Sequence, residues 1–504
     1  MKKSSKYLAY VLILLSAVLS SCQKFLSDAP QSSLTSGNAY KSASDVENAL
    51  AGCYNIFYTD YYQWENVMIS DNRSDNAYPG GGGEDTFVNI DQFNVPPSNS
   101  HDYGFWWGQP YQGIARCNIL LEKIAAVDDP KLDLNDRRNQ VIGEASFLRA
   151  FHYYQLVKTF GGVPIELQSN TADPGVTRKP RATETEVYDQ IVKDLQVAVD
   201  NLPDSFGEPS IDKVRATKGA ANALLAKIWA QRSDRDYSKV LAYCDAVISS
   251  PAGYALEPDY NKLFDGANYI NSEAILLVPY IEGSPASNWG VELYLAPEDG
   301  WQKYCIPSKD LVDTYKNEGD GIRLRSNIIF MNNLVPWTDE NWSPCASQED
   351  TIPFNYKQKH PAGWASGDNY YLLRMGDIVT LKAEAQNELN DLDGAKATLD
   401  LVRQRVNLPD VVASTKEEMK TKILLERRLE LAFEAQRWDD LVRAGVATDV
   451  MSGVKEYKYT CNDGTPSAPI PIIYNCTHDK WVMPIPQAEI DANPNLVQNP
   501  GYGI

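Results

Sequence analysis

The 504-residue chain has no Cys-x-x-Cys pair, and its four histidines (His101, His152, His360 and His478) are scattered, with no His-Glu-x-x-His run. These absences argue against the zinc and iron sites whose ligands come at short fixed spacings, so no metal ligands are assigned and a structural cation stays open. The Gly80–Gly83 run is not followed by Lys-Ser/Thr, which makes it a flexible loop tip and not a phosphate cradle. No cofactor is expected. Basic residues are the scarce sign: 47 Lys+Arg stand against 67 Asp+Glu, a formal net charge of -20. An acidic surface repels polyanions and lacks the clustered cations that phosphate contacts need, which excludes a nucleic-acid partner. Past the N-terminus there is no long hydrophobic run, and a mean hydropathy of -0.39 leaves no room for several membrane spans.

What is present reads as globular: 43% apolar and 11% aromatic residues, in a length that accommodates about two to four domains. Lys2, Lys3 and Lys6 precede an apolar run from Leu8 to Leu19, too short to span a bilayer and suited to a signal-peptide core. The sequence Leu19-Ser20-Ser21-Cys22 has the form of a bacterial lipobox, in which Cys22 receives diacylglycerol. Two or three acyl chains at ~0.8 kcal/mol per buried CH₂ make a stable anchor, so the chain is expected to be tethered to a membrane and not threaded through it. Gln23 follows where an Asp would favour inner-membrane retention, which points to the outer membrane.

Setting Cys22 aside leaves an odd number of cysteines, so they do not all pair. Cys117 and Cys244 lie in helical patterns as small buried hydrophobes. Cys461 and Cys476 flank a Pro/Gly-rich stretch that can fold back as a hairpin, which leaves a bridge between them open.

The chain is patterned as helices separated by aromatic loops. Residues 43–58, 107–127 and 143–160 carry apolar residues three and four apart, and Gly161-Gly162 stops the third of these runs. Thr183 to Glu186 caps a helix that runs to Pro203. Residues 216–249 read as a helix-turn-helix hairpin of tetratricopeptide length, and 371–406 repeat the pattern around the break at 390–394. Residues 59–105 and 265–370 are rich in Gly, Asn and Pro and carry many rings; they are expected to be insertions that build a binding face.

The segment GEASFLRAFHYYQLVKTFGGVPI (143–165) resembles the hallmark helix of the SusD-like (RagB/SusD) family. The resemblance continues through 181–203, 215–231, 372–390, 425–445 and 484–502, in the family's order. Ser146 stands where the family commonly has a basic residue, and Glu434-Ala435-Gln436-Arg437 replaces a commoner Glu-Gly-x-Arg; both are read as lying in packing helices. The resemblance implies a mainly α protein, a superhelix of four tetratricopeptide-like helix pairs with long loop insertions and little β-structure. The expected division is a signal peptide (1–21), a lipidated tether (22–42), an N-terminal helical region (43–255) and a C-terminal region with the ligand loops (256–504). The resemblance further implies a surface lipoprotein that captures an oligosaccharide for a SusC-like TonB-dependent transporter and is not an enzyme.

Sugar recognition of that kind uses rings against pyranose C–H faces, with amides and carboxylates for the hydroxyls. Trp301 is the first candidate, with Tyr294 and Trp289 on the same loop; the bland alternative for each is core cover. Asp71, Asn72 and Asp75 offer polar groups after an apolar helix, against the simpler reading of a cap or solvated turn, and Tyr78 and Tyr103 add rings. Trp107, Trp229 and Trp438 read as core, and the cluster from Glu426 to Asp440 reads as ion pairs and not acid–base machinery. Two other functions compete: a peptide-binding member of the same family, and a secreted glycoside hydrolase working through two carboxylates.

Overall fold

The computed structural model describes residues 40–80, 85–98, 101–169, 178–293, 304–332, 342, 345, 351–359 and 364–503. Helix α1 (Ala43–Tyr54) starts in a reciprocal capping box between Ser42 and Asp45. After α2 (Asp85–Asp91) come the long helices α3 (His101–Lys123) and α4 (Arg137–Phe160). Helix α4 is buried along most of its length and ends at Gly161, which takes the positive φ of 72° that side chains avoid. A Cβ on Gly162 would lie 2.2 Å from the Ala182 carbonyl oxygen, so the chain passes there only as glycine. Thr183 and Glu186 form the expected capping box of α5 (Glu184–Asn201), and Thr217 caps α6 (Lys218–Gln231), whose hairpin partner is α7 (Tyr237–Ile248).

Helices α8 (Lys309–Asn317) and α9 (Gly321–Asn327) precede the second hairpin, α10 (Met375–Glu388) and α11 (Leu392–Arg405). Then come α12 (Lys416–Leu431), α13 (Arg437–Ala444) and α14 (Ala447–Gly453). Each helix from α3 to α6 packs on the next, α6 packs on α7, and α7 on α10, which continues the stack through α11 and α12. The sequence reading of a helix-pair scaffold with little β therefore holds. Residues 371–374 differ from it, forming strand and not helix.

The described strands pair two by two, all antiparallel. Strand β1 (Ala77–Tyr78) pairs with β3 (Ile306–Pro307), β2 (Ala274–Val278) with β6 (Tyr370–Arg374), and β4 (Ile328–Asn332) with β5 (Thr351–Asn355). A C-terminal strap follows α14: β7 (Tyr457–Lys458) pairs with β10 (Ile470–Pro471), enclosing β8 (Cys461–Asn462) and β9 (Thr465–Pro466). The bridge left open by the sequence is formed differently. Cys461 pairs with Cys345, while Cys476 is a buried thiol packed with Phe93, Trp438 and Leu441, because the nested hairpin turns Cys461 away from it.

Within the stretch 59–105, residues 61–80 are not a surface insertion. Every residue from Tyr61 to Gly80 is buried, and Tyr61–Glu65 and Met68–Asn72 form π-helical turns inside the main core. Of the expected loop tip, Gly80 is buried and residues 81–84 lie outside the described residues.

Beneath α12 lies a core of buried ion pairs. Arg374, at the end of β6, meets Glu434 at 2.6 Å, Glu430 at 2.6 Å and Glu273 at 2.7 Å. Arg323 joins Asp320, Glu426 and Glu430; Arg405 joins Glu273 and Glu430; Lys357 joins Glu434. Arg427 bridges Asp377 to Asp440, and Lys227 on α6 closes onto Asp377. Burial alone would raise the Glu430 pKa, but the charges of Arg405, Arg374 and Arg323 outweigh it and hold the carboxyl well below its usual value. The sequence reading of ion pairs holds here, but most partners come from other elements instead of from helical i, i+3 and i, i+4 spacing, and the groups are buried. A Cβ on Gly376 would sit 2.1 Å from the Arg374 guanidinium, so the network reaches the backbone of α10.

Candidate functional site

Three tryptophans form a ladder from the interior to the surface. Trp64, 7% exposed, meets half-buried Trp289 edge-on at 6.0 Å between ring centroids; Trp289 in turn stacks on Trp364, 50% exposed, at 6.0 Å and 29°. Behind Trp64 lie Tyr304, at 6.5 Å and 27°, and Phe87, at 5.6 Å. Tyr304 and Phe87 close on each other at 4.5 Å.

Short local bonds set this geometry. Asn288 donates its N–H to the Ser366 carbonyl at 2.8 Å, and Gly283 to Ala365 at 3.1 Å, so the segments before Trp289 and around Trp364 run side by side. Gly290 touches the Trp64 ring; a Cβ there would lie 2.4 Å from it, and the ladder closes only because Gly follows Trp289. The outcome is a flat, half-wet indole face backed by rings, a surface chemistry that suits the C–H face of a sugar.

Of the residues expected at the site, Trp289 is in the ladder. Trp301, Tyr294 and Cys22 lie outside the described residues; Tyr103 is placed in the first turn of α3, its side chain outside them. Asp71, Asn72, Asp75 and Tyr78 are corrected: all four are buried, and neither ligand contact nor the solvated-turn alternative describes them. Asp71 accepts N–H bonds from Phe433 at 2.9 Å and Ala435 at 3.3 Å, residues with φ of 63° and 57°. It therefore braces the tight turn between α12 and α13. Burial raises its pKa to about 6 despite those donors. Asp75 accepts from Nε and Nη2 of Arg437 at 2.7 and 2.9 Å; burial opposes ionisation, but Arg428 and Arg437 prevail and its pKa falls to about 2.

Asn72 donates to the Tyr304 carbonyl at 2.7 Å, and Tyr78 lies in β1 against Ile306. Both hold the segment that runs from Tyr304 into β3 beneath the ladder. Sequence reasoning did not nominate Trp64, Phe87, Tyr304 or Trp364; the available signal was the Trp289-Gly290 pair, which demands a large partner packed on the glycine. Trp107 and Trp438 are buried as expected, whereas Trp229 is only half-buried, with the Lys239 ammonium 3.6 Å over its ring.

Two clefts of about 410 and 390 Å³ lie elsewhere, the first between α3 and the C-terminal segment at Trp107, Glu166 and Glu489, the second between α1 and β2. We weight the ladder over both, because it presents a broad exposed ring face. Among the described residues no group of three or more His, Cys, Asp or Glu could hold a metal, and no helix is long and apolar enough to cross a membrane.

A stack of helix pairs carrying a stepped indole platform defines a class of binding scaffold. Residues 331–502 match the SusD family, and residues 24–229 match a SusD-like family described as starch-binding and associating with the outer membrane. The chain belongs to the SusD-like family. It is 26% identical to SusD-like protein P2 of Formosa agariphila over 95% of this chain and 96% of that one. It is 25% identical to the starch-binding protein SusD of Bacteroides thetaiotaomicron, covering 77% and 76%. Its fold is similar to surface glycan-binding protein A of Bacteroides thetaiotaomicron, solved with laminarihexaose, at a TM-score of 0.71 and 23% identity over 91% of this chain and 99% of that one.

Proposed function

We propose that the protein binds oligosaccharides at the cell surface, anchored in the outer membrane through lipid on Cys22, and passes them uncut to a SusC-like TonB-dependent transporter. The starch-binding description of the matched family and the glycan-bound relative support carbohydrate as the ligand. The observation that carries the reading is the ladder: an indole half open to water, stacked on a second that a third supports. Trp301 and Tyr294, on the loop after Trp289, are proposed to add further rings.

Calorimetric titration with maltoheptaose and laminarihexaose tests this. Trp364→Ala is expected to weaken the better ligand about tenfold or more, as loss of one stacked ring implies. Its melting temperature should stay within about 1 °C, since half the ring is already in water. Unchanged affinity would refute the ladder as the site, and smaller products in the recovered ligand would instead favour a hydrolase. Binding of peptides with no response to either glycan would favour the peptide reading.

A further inference from the structure

A smaller cavity, of about 190 Å³, lies where the two helix hairpins meet, between α7, α10, α12 and α13. The acids in its lining are already matched. Glu384 accepts from Nε and Nη2 of Arg443 at 2.9 and 2.8 Å, Asp440 accepts from Arg427 at 2.9 Å, and Glu388 meets Lys416 at 2.8 Å. Two of the lining cations are not: Arg235 gives its Nε–H to the Arg232 carbonyl at 3.1 Å, and among the described residues neither its guanidinium nor the Lys420 ammonium pairs with a carboxylate. On a chain with a formal charge of -20, this is a local excess of positive charge. Asn387, 2% exposed, lines the same cavity; its Nδ2 donates to the Lys416 carbonyl at 3.0 Å, while its Oδ1 meets no donor. Buried acceptors are rarely left empty in native structures.

We propose that this cavity binds one acidic sugar residue, a hexuronate, at a site separate from the ladder. The carboxylate would meet Arg235 and Lys420, a hydroxyl would give its hydrogen to Asn387 Oδ1, and the C–H face would lie against Tyr237, Ile423 and Leu424, which line the remaining wall. A cavity of about 150 Å³ takes a benzene ring, so this one has room for a single pyranose. Each simpler ligand leaves something unmet: a neutral sugar leaves the two cations, and inorganic phosphate leaves the apolar wall. The site is independent of the ladder and stands or falls apart from it.

Calorimetric titration of the full chain in detergent with glucuronate and galacturonate is the test, with glucose and inorganic phosphate as controls. At least one uronate is expected to bind saturably, and Lys420→Gln or Arg235→Gln to weaken it about tenfold, as loss of one charge-assisted hydrogen bond implies. The melting temperatures of both variants should stay within about 1 °C of the parent, because neither side chain has an ion-pair partner to lose. Saturating laminarihexaose or maltoheptaose should not displace the uronate; displacement would assign the acid to the ladder and overturn the site. The proposal also fails if neither uronate binds, if both charge variants bind it as well as the parent, or if glucose or phosphate binds as tightly. Should a charge variant not fold, the four titrations of the unmodified chain decide the question on their own.

Discussion

The ladder and the ion-pair core are both built from residues that soluble proteins use sparingly inside, yet they respond to damage in opposite ways. The ladder is made of neutral rings, each contributing area and dispersion, so removing its outermost member leaves nothing stranded. In the core, each of Arg323, Arg374, Arg405 and Arg427 neutralises two or three acids, and removing one leaves uncompensated charge in a buried region. Function can therefore vary at the ladder, whereas the core fixes how β6, α10 and α12 sit relative to one another.

The sharpest way to break this contrast is Arg374→Met, which removes the guanidinium shared by Glu273, Glu430 and Glu434. Chemical denaturation should show a loss of about 3–5 kcal/mol, and a neutral outcome would mean that the network is dispensable. The pH dependence of stability separates the two regions next. Asp71 has a folded pKa of about 6, above the usual carboxylate value, so the native state holds more protons than the unfolded chain between roughly pH 4 and 6. Its contribution to stability should rise as pH falls through that window, by up to about 3 kcal/mol, and thermal melts of Asp71→Asn should lose that slope. The depressed Asp75 acts in the opposite sense, its contribution disappearing as pH falls from roughly 4 towards 2. Smaller in stability terms is Gly290→Ala, whose new methyl collides with the Trp64 ring. We expect about 1–3 kcal/mol of destabilisation together with lost glycan affinity in calorimetry, whereas Trp364→Ala separates those two effects.

Much of the scaffold was legible because its helices carry local punctuation: the Thr183–Glu186 box, the Gly161-Gly162 stop and the hairpin break near Asn390, which takes φ 66°. The stretch 61–80 was not. A segment buried on all sides shows no apolar stripe, and π-turns disturb the usual helical period, so its rings and amides resemble a loop. The departure at Ala435 was misplaced for a related reason. It lies in the turn braced by Asp71, with φ 57°, where the glycine more common in the family would be unstrained, and not in a packing helix. In the ladder, Trp289 was among the residues the sequence reading named. Its partners were not, since Trp64 and Trp364 are 225 and 75 residues away and only long-range packing unites them.

The close fit of Gly290 under Trp64 divides the platform into a fixed backing and a replaceable tile. The inner indoles are locked to one another and to the main chain, so with the ladder as the proposed glycan site, drift in ligand preference would be channelled to the outermost position. Exchanging Trp364 for a smaller, a polar or a differently angled ring would let the same skeleton suit a new polymer without having to be refolded.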